Sequence, residues 1–269
     1  MSERPTLIRL EIEPPFATIV LDHPEKLNAW SWESARQISA HADALRFDDR
    51  VRVVTVRAEG RAFCAGVDLG MPEDRITGRS PAEKTRNYFE KFRWVHERFQ
   101  VLAALPQPVL MAIHGYCLGA GLEIAMMGDI RIAADDAKLG LNFVRLGLHP
   151  GMGATWTLPR IVGGSNAAEL LYTGRIVTGD EAARIGLVGR ALPRERVLSE
   201  ARELAAEVAA GAPIAIRGLK RALDRSAAAS LEDQLSFEAS EQAVCFESRD
   251  VQEGLAAARA RRNPKFQGG

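Results

Sequence analysis

The chain has 269 residues, with 46% hydrophobic and 26% charged side chains. That is the balance of an ordinary globular protein with enough chain for a substantial core. Lys plus Arg equals Asp plus Glu, 35 of each, which argues against a broad basic field for nucleic acid and leaves room only for a local anion pocket. The cysteines, Cys64, Cys117 and Cys245, form no C-x-x-C pair and cannot all pair with one another, a usage that fits a reducing compartment. No apolar run reaches bilayer length, and "MSERPTLIRLEIEPP" has charges and prolines where a signal peptide needs an apolar stretch. The expectation is a cytoplasmic protein without membrane or nucleic-acid partners.

In chain order, "TLIRLEIE" and "FATIVLD" read as a strand pair joined at Pro14-Pro15. "SWESARQISAHADALRFD" carries Trp32, Ala35, Ile38, Ala42 and Leu45 at helical spacing, with Ser31 as its cap. "VRVVTVRAEG" is a strand. Residues 71–80 read as a charged loop, and a long amphipathic helix then starts behind Ser80 with Pro81 in its first position. Strand "PVLMAIHG", a small-residue turn "YCLGAG", helix "LEIAMMG" and strand "DIRIAA" follow, an alternation that requires crossovers and an α/β architecture. "AKLGL" and "LVGRAL" are short strands around helical segments near 153–173 and 179–185. From about residue 193 the pattern is helical only, which predicts a body over 1–195 and a helical region over 196–269 with an oligomerisation surface.

Two stretches carry chemistry. In "HGYCLGAGLEIAMMGD" a glycine-rich run opens a helix that is apolar nearly all round, so a buried helix directs its unpaired N–H groups and positive end at something inside the protein. Gly119 and Gly121 keep side chains out of the way of a ligand. A dinucleotide fingerprint is not completed, because Ile124 stands where G-x-G-x-x-G needs its third glycine. Glu123 in the first turn reads either as a carboxylate that offsets the helix dipole or as an acid/base group beside those N–H donors. The other stretch, "RAFCAGVDLG", makes a second cramped corner after a strand. The histidines are scattered in no metal-ligand spacing, and no G-x-S-x-G elbow is present.

These two corners, together with "HPEKLNAW", "GDIRIAADDAKLG" and the tail "RRNPKFQG", in this order along essentially the whole chain, resemble the crotonase (enoyl-CoA hydratase/isomerase) superfamily. The resemblance implies a spiral of ββα units forming two sheets, followed by helices that pack trimers or dimers of trimers. It implies an oxyanion hole from the backbone N–H groups of Val67 and Ala120, with Glu123 as acid/base. It implies that Ala65, Asp68, Leu69 and Gly119 line the acyl-CoA site, and that Lys26 and Arg61 lie in segments that meet its phosphates. Lys265 and Phe266 match a tail pair that reaches CoA across the trimer. CoA would enter as part of the substrate, with no separate cofactor and no metal.

One position departs from the family pattern. The register of "AKLGLNFVRLGLHPGMG" puts Phe143 where family hydratases carry a second carboxylate, which most isomerases of the family also use. The expected activity is hydration of a trans-2-enoyl-CoA with one carboxylate. The alternatives are double-bond isomerisation, other acyl-CoA enolate chemistry, or a weakly catalytic acyl-CoA-binding oligomer. Asn142 reads either as a loop hydrogen bonder or as a water-orienting group. His149 reads either as a packed or exposed ring or as a titrating group in the pocket.

Overall fold

The computed structural model describes residues 5–68 and 80–268. A hairpin of β1 (Ile8–Glu13) and β2 (Phe16–Leu21) starts the chain, paired antiparallel with Ile8 opposite Leu21 and Glu13 opposite Phe16. The Ser31 side chain caps α1 (Trp32–Arg46) in a reciprocal capping box, and α1 returns the chain to β3 (Val53–Ala58) beside β2. Ser80 and Pro81 start α2 (Pro81–Ala103) in the same manner. The chain then enters β4 (Val109–Ile113), whose five residues are all buried, as a strand covered on both faces must be.

Beyond β4 the sequence reading needs one correction. "YCL" is not part of a turn but a three-residue strand, β5 (Tyr116–Leu118). It pairs in parallel with β7 (Lys138–Gly140), a partner set by long-range packing rather than by local pattern. Between them lie α3 (Ala120–Ala125) and β6 (Ile130–Ala134). The helix therefore begins at Ala120, two residues before the apolar run that marked it. α4 (Ala154–Val162), α5 (Gly164–Thr173), β8 (Val177–Thr178), α6 (Gly179–Arg184) and β9 (Arg190–Leu192) complete this part. The strands make a six-stranded sheet of order β1-β2-β3-β4-β6-β9 and a three-stranded sheet of order β5-β7-β8.

The remaining helices are α7 (Val197–Ala209), α8 (Pro213–Ser226), α9 (Leu231–Glu247) and α10 (Arg249–Ala260). α7 buries Val197, Ala201, Ala205 and Ala209, and Ala205 and Ala209 pack with Val53 and Leu110 of the large sheet. α9 buries no residue and leaves Leu231, Leu235, Val244 and Phe246 exposed. α8 is pinned by charge. The buried Lys220 ammonium donates to Asp129 Oδ2 at 2.8 Å and to the Gln107 carbonyl at 3.1 Å. Asp129 also accepts the Val109 N–H at 2.7 Å, which ties α8 to the start of β4. Lys220→Met would remove this ion pair and the bond to the Gln107 carbonyl, and because the Asp129 carboxylate is partly exposed and keeps the Val109 N–H, the cost is about 1 kcal/mol. The expected outcome is a lower urea midpoint with an unchanged slope, read by circular dichroism.

Candidate active site

The carboxyl ends of the parallel strands are where α/β sheets place ligands, and both corners lie there. The first follows β3. Its shape is held by Asn28, a buried residue in left-handed conformation at φ 54°. The Asn28 amide donates to the Glu59 and Ala62 carbonyls at 2.9 and 2.8 Å, and its oxygen accepts the His23 N–H at 2.7 Å. Ala65 N–H then donates to the Leu27 carbonyl, Trp30 N–H to the Gly66 carbonyl, and Asp68 N–H to the Trp30 carbonyl. That ladder uses the groups on either side of Val67 and skips its N–H. Beneath it Trp30 meets Trp32 and Phe99 edge to face, each with ring centres 5.8 Å apart, and Trp94 lies against Trp32. These rings form a packed cluster under the corner.

The second corner follows β5. Gly119 sits at φ 51° and ψ −122°, a conformation open to glycine, with its N–H donated to the Gly140 carbonyl at 2.8 Å. Cys64 and Cys117 bridge the two corners as strand partners. The contact is so close that a Cβ on Gly121 would fall 2.2 Å from the Cys64 carbonyl oxygen. A Cβ on Gly119 would lie 3.9 Å from the Gly66 Cα. Each glycine is followed directly by a proposed donor, Val67 and Ala120. Among the described residues neither of those N–H groups has a protein acceptor, since the first α3 turn closes with Leu122 and Glu123 on the Gly119 carbonyl. Ala120 has a negative φ, so the alanine presents its N–H as a glycine there would.

All six residues of α3 are buried, as its all-round apolarity predicts, and Glu123 is only 3% exposed. Glu123 Oε1 accepts the Gly151 N–H at 2.7 Å. Burial raises its pKa to about 7, with the Gly151 bond opposing the rise. Phe143 lies in the 3-10 turn Asn142–Leu146. Its ring edge and Asn142 Oδ1 each come within 3.6 Å of the Gly119 Cβ position, so both cover the second corner. His149 is exposed and bound to its neighbour, with Nδ1 2.6 Å from the Pro150 carbonyl oxygen.

The structure thus brings the Gly66–Val67 and Gly119–Ala120 corners together, lays the Phe143 ring against the second, and places Glu123 in the first turn of the helix that Ala120 opens. Ala65 and Asp68 flank the first corner. Lys26 is exposed and reaches Asp68 Oδ2 at 2.8 Å, so these two predicted residues meet. Arg61 is exposed at the start of the corner. Leu69 and all but the last residue of the loop expected over 71–80 lie outside the described residues. The Cys64 and Cys117 thiols are fully buried, and burial pushes Cys64 up to about 11 and Cys117 upward too, which keeps both protonated. Lys265 and Phe266 sit in a tail folded onto its own chain: Lys265 N–H donates to Glu253 and the Phe266 carbonyl accepts from Arg52. Among the described residues no group of three or more His, Cys, Asp or Glu could hold a metal ion, and no helix is long and apolar enough to cross a membrane.

Two contributors were not singled out from the sequence. Asn28 stood inside the "HPEKLNAW" motif without a role, although Asn is a residue type that tolerates left-handed backbone. Gly151 stood in "HPGMG", but nothing local pairs it with a carboxylate 28 residues away.

A fold of two sheets with two backbone corners beside one buried carboxylate is the architecture the crotonase resemblance implies. The sequence model of the enoyl-CoA hydratase/isomerase family matches residues 11–269, and the chain belongs to that family. It is 32% identical over 260 residues to the crotonyl-CoA hydratase of Syntrophomonas wolfei, covering 96% of this chain and 97% of that one. It is also 32% identical to the 1,2-epoxyphenylacetyl-CoA isomerase of Escherichia coli, over 96% of this chain and 97% of that one. The crystal structure of an enoyl-CoA hydratase from Bacillus anthracis superposes with a TM-score of 0.88 at 32% identity, covering 98% of this chain and 100% of that one.

Proposed function

We propose that the chain is an enoyl-CoA hydratase that adds water to a trans-2-enoyl-CoA with Glu123 as its single catalytic carboxylate. The observation that carries this reading is that the Val67 and Ala120 N–H groups, which find no protein acceptor among the described residues, follow two glycines that approach each other, while the buried Glu123 lies in the first turn of the helix that Ala120 opens. The thioester oxygen binds between the two donors, which stabilise the negative charge it gains as the enolate forms. Glu123 in its ionised form takes a proton from water, and the hydroxide adds to C3. The electrons of the double bond move through C2 onto the thioester oxygen. The enolate then collapses as Glu123 returns the proton to C2, so the balance is one water added.

Phe143 takes the place of a second carboxylate in this reading, and its ring keeps the site dry. Dryness supports the raised pKa of Glu123, which suits a group that must first accept and then return a proton near neutral pH. Ala65, Asp68 and Gly119 line the CoA path, with Lys26 and Arg61 near its phosphates. Lys26 reaches them by leaving Asp68. CoA is part of the substrate, and the reaction takes no separate cofactor and no metal. The exposed apolar residues of α8 and α9, Leu219, Leu223, Leu231 and Leu235 among them, support assembly as a trimer or a dimer of trimers. The cysteines, all free, support a cytoplasmic setting.

A single carboxylate of pKa about 7 also supports a second reading, double-bond isomerisation, in which Glu123 moves a proton between carbons and no water is added. The test uses the enoyl-thioester absorbance of crotonyl-CoA and of a medium-chain enoyl-CoA. Wild type is expected to bleach it, and Phe143→Glu, which adds a second carboxylate, is expected to bleach it at least as fast. Silence from wild type with activity only in Phe143→Glu would mean that the scaffold binds enoyl-CoA but its own reaction is another.

A further inference from the structure

The Gly151 N–H that binds Glu123 is not placed by its own segment. Gly151 is followed by Met152 at φ 46° and Gly153 at φ 82°, two successive residues in left-handed backbone. Met152 adopts that conformation at a cost of order 1 kcal/mol or more and needs outside support. Support comes from α2, where His96 and Gln100 lie one turn apart on one face. The Gln100 amide donates to the Met152 carbonyl at 3.0 Å. The His96 ring backs Gly151 so closely that a Cβ there would fall 2.5 Å from Nε2 and 3.2 Å from Cε1. Gly151 itself does not have a left-handed φ. Its backbone would admit alanine, and only the imidazole excludes the methyl group.

We propose that His96 and Gln100 are positioning residues that clamp the 151–153 turn so that the Gly151 N–H is held on Glu123, making α2 a determinant of that carboxylate's orientation and hydrogen bonding. The inference rests on the reading of Glu123 as the acid/base. Burial lowers the pKa of His96, so the ring that backs the turn is neutral around pH 7 and adds no charge. The other titratable groups near Glu123 are Asp129 and Asp224, which share a cavity of 410 Å³ with it, and Lys220, which is bound to Asp129. His149 adjoins the turn and is bound to the Pro150 carbonyl. Among the described residues none of these forms an ion pair or hydrogen bond with Glu123.

The experiment is a cycle of Gly151→Ala, His96→Ala and their double variant, with Gln100→Leu as a variant that introduces no clash. Each is read by the pH midpoint of kcat, by KM and by the infrared signal of the protonated Glu123 carboxyl, identified by its loss in Glu123→Gln. Gly151→Ala and Gln100→Leu are expected to lower kcat by about 10- to 100-fold, the range for losing a hydrogen bond to a charged group. They should move the carboxyl midpoint to higher pH while KM stays in place. His96→Ala alone should show a loss of the same sign, and the double variant, in which the alanine methyl group takes up part of the space the ring leaves, should recover part of what Gly151→Ala loses. A carboxyl signal that does not move, or a double variant no better than Gly151→Ala, overturns the inference. Full turnover by Glu123→Gln would instead sink the catalytic reading, and the infrared midpoint would then decide the positioning role without reference to turnover.

Discussion

Glu123→Gln is expected to lower enoyl-CoA turnover by about 100- to 10,000-fold, the contribution of a positioned acid/base group, while acyl-CoA binding persists. Gln keeps the shape and can still accept the Gly151 N–H, but it cannot take a proton from water. In the proposed reading binding persists because the thioester would meet the Val67 and Ala120 N–H groups, which the substitution leaves alone. The same variant has a second signature of opposite sign. The folded pKa of Glu123 is about 7 against an ordinary 4.5, so the folded protein holds this proton more tightly than the unfolded chain. Between those values the unfolded state binds fewer protons, and stability falls as pH rises. The group's favourable contribution is complete below 4.5 and lost above about 7. That gap corresponds to about 3 kcal/mol. The stability difference between wild type and Glu123→Gln should shift by that order across the window, in favour of the variant at the alkaline end. Urea titrations at several pH values read it. A difference that is flat with pH would mean that Glu123 is not a desolvated carboxyl.

Ala120→Pro is expected to reduce turnover by about 100- to 1000-fold, the effect of removing one oxyanion donor. Most backbone N–H groups cannot be deleted without breaking an element. This one can, because Ala120 opens α3 and its N–H makes no helical bond. Proline is favoured at the first position of a helix for that reason. Gly119 before it, at ψ −122°, lies away from the αR region that a following proline excludes. The far-ultraviolet spectrum and urea midpoint should therefore stay close to wild type while the rate falls. A rate that survives the proline would remove Ala120 from the oxyanion hole.

What the sequence discloses here follows the range of the interactions. Ser31 and the Ser80-Pro81 pair mark helix starts by contacts within four residues, and both act as read. Glu123 and the glycines of its corner are equally local. The role of Phe143 depends on a register over the "AKLG" segment, and the ring does lie at the Gly119 corner. By contrast, β5 is three residues long and exists because β7 lies beside it. α7 and α9 both read as helices, yet α7 packs on the large sheet while α9 buries nothing in this chain. The Glu123–Gly151 and Gln100–Met152 bonds join segments 28 and 52 residues apart, and no spacing rule reaches that far. Asn28 is intermediate: its left-handed backbone is a local property, but the Glu59 and Ala62 carbonyls it holds are supplied by the fold.

The most direct test of the account is to incubate the protein with crotonyl-CoA in ¹⁸O-labelled water and analyse the thioester by mass spectrometry. Hydration by Glu123 predicts a 3-hydroxyacyl-CoA product carrying the label, formed by wild type and not by Glu123→Gln. Thioester that gains no oxygen while its double bond moves or its α-hydrogen exchanges with solvent would contradict hydration and assign the site to isomerisation or other enolate chemistry.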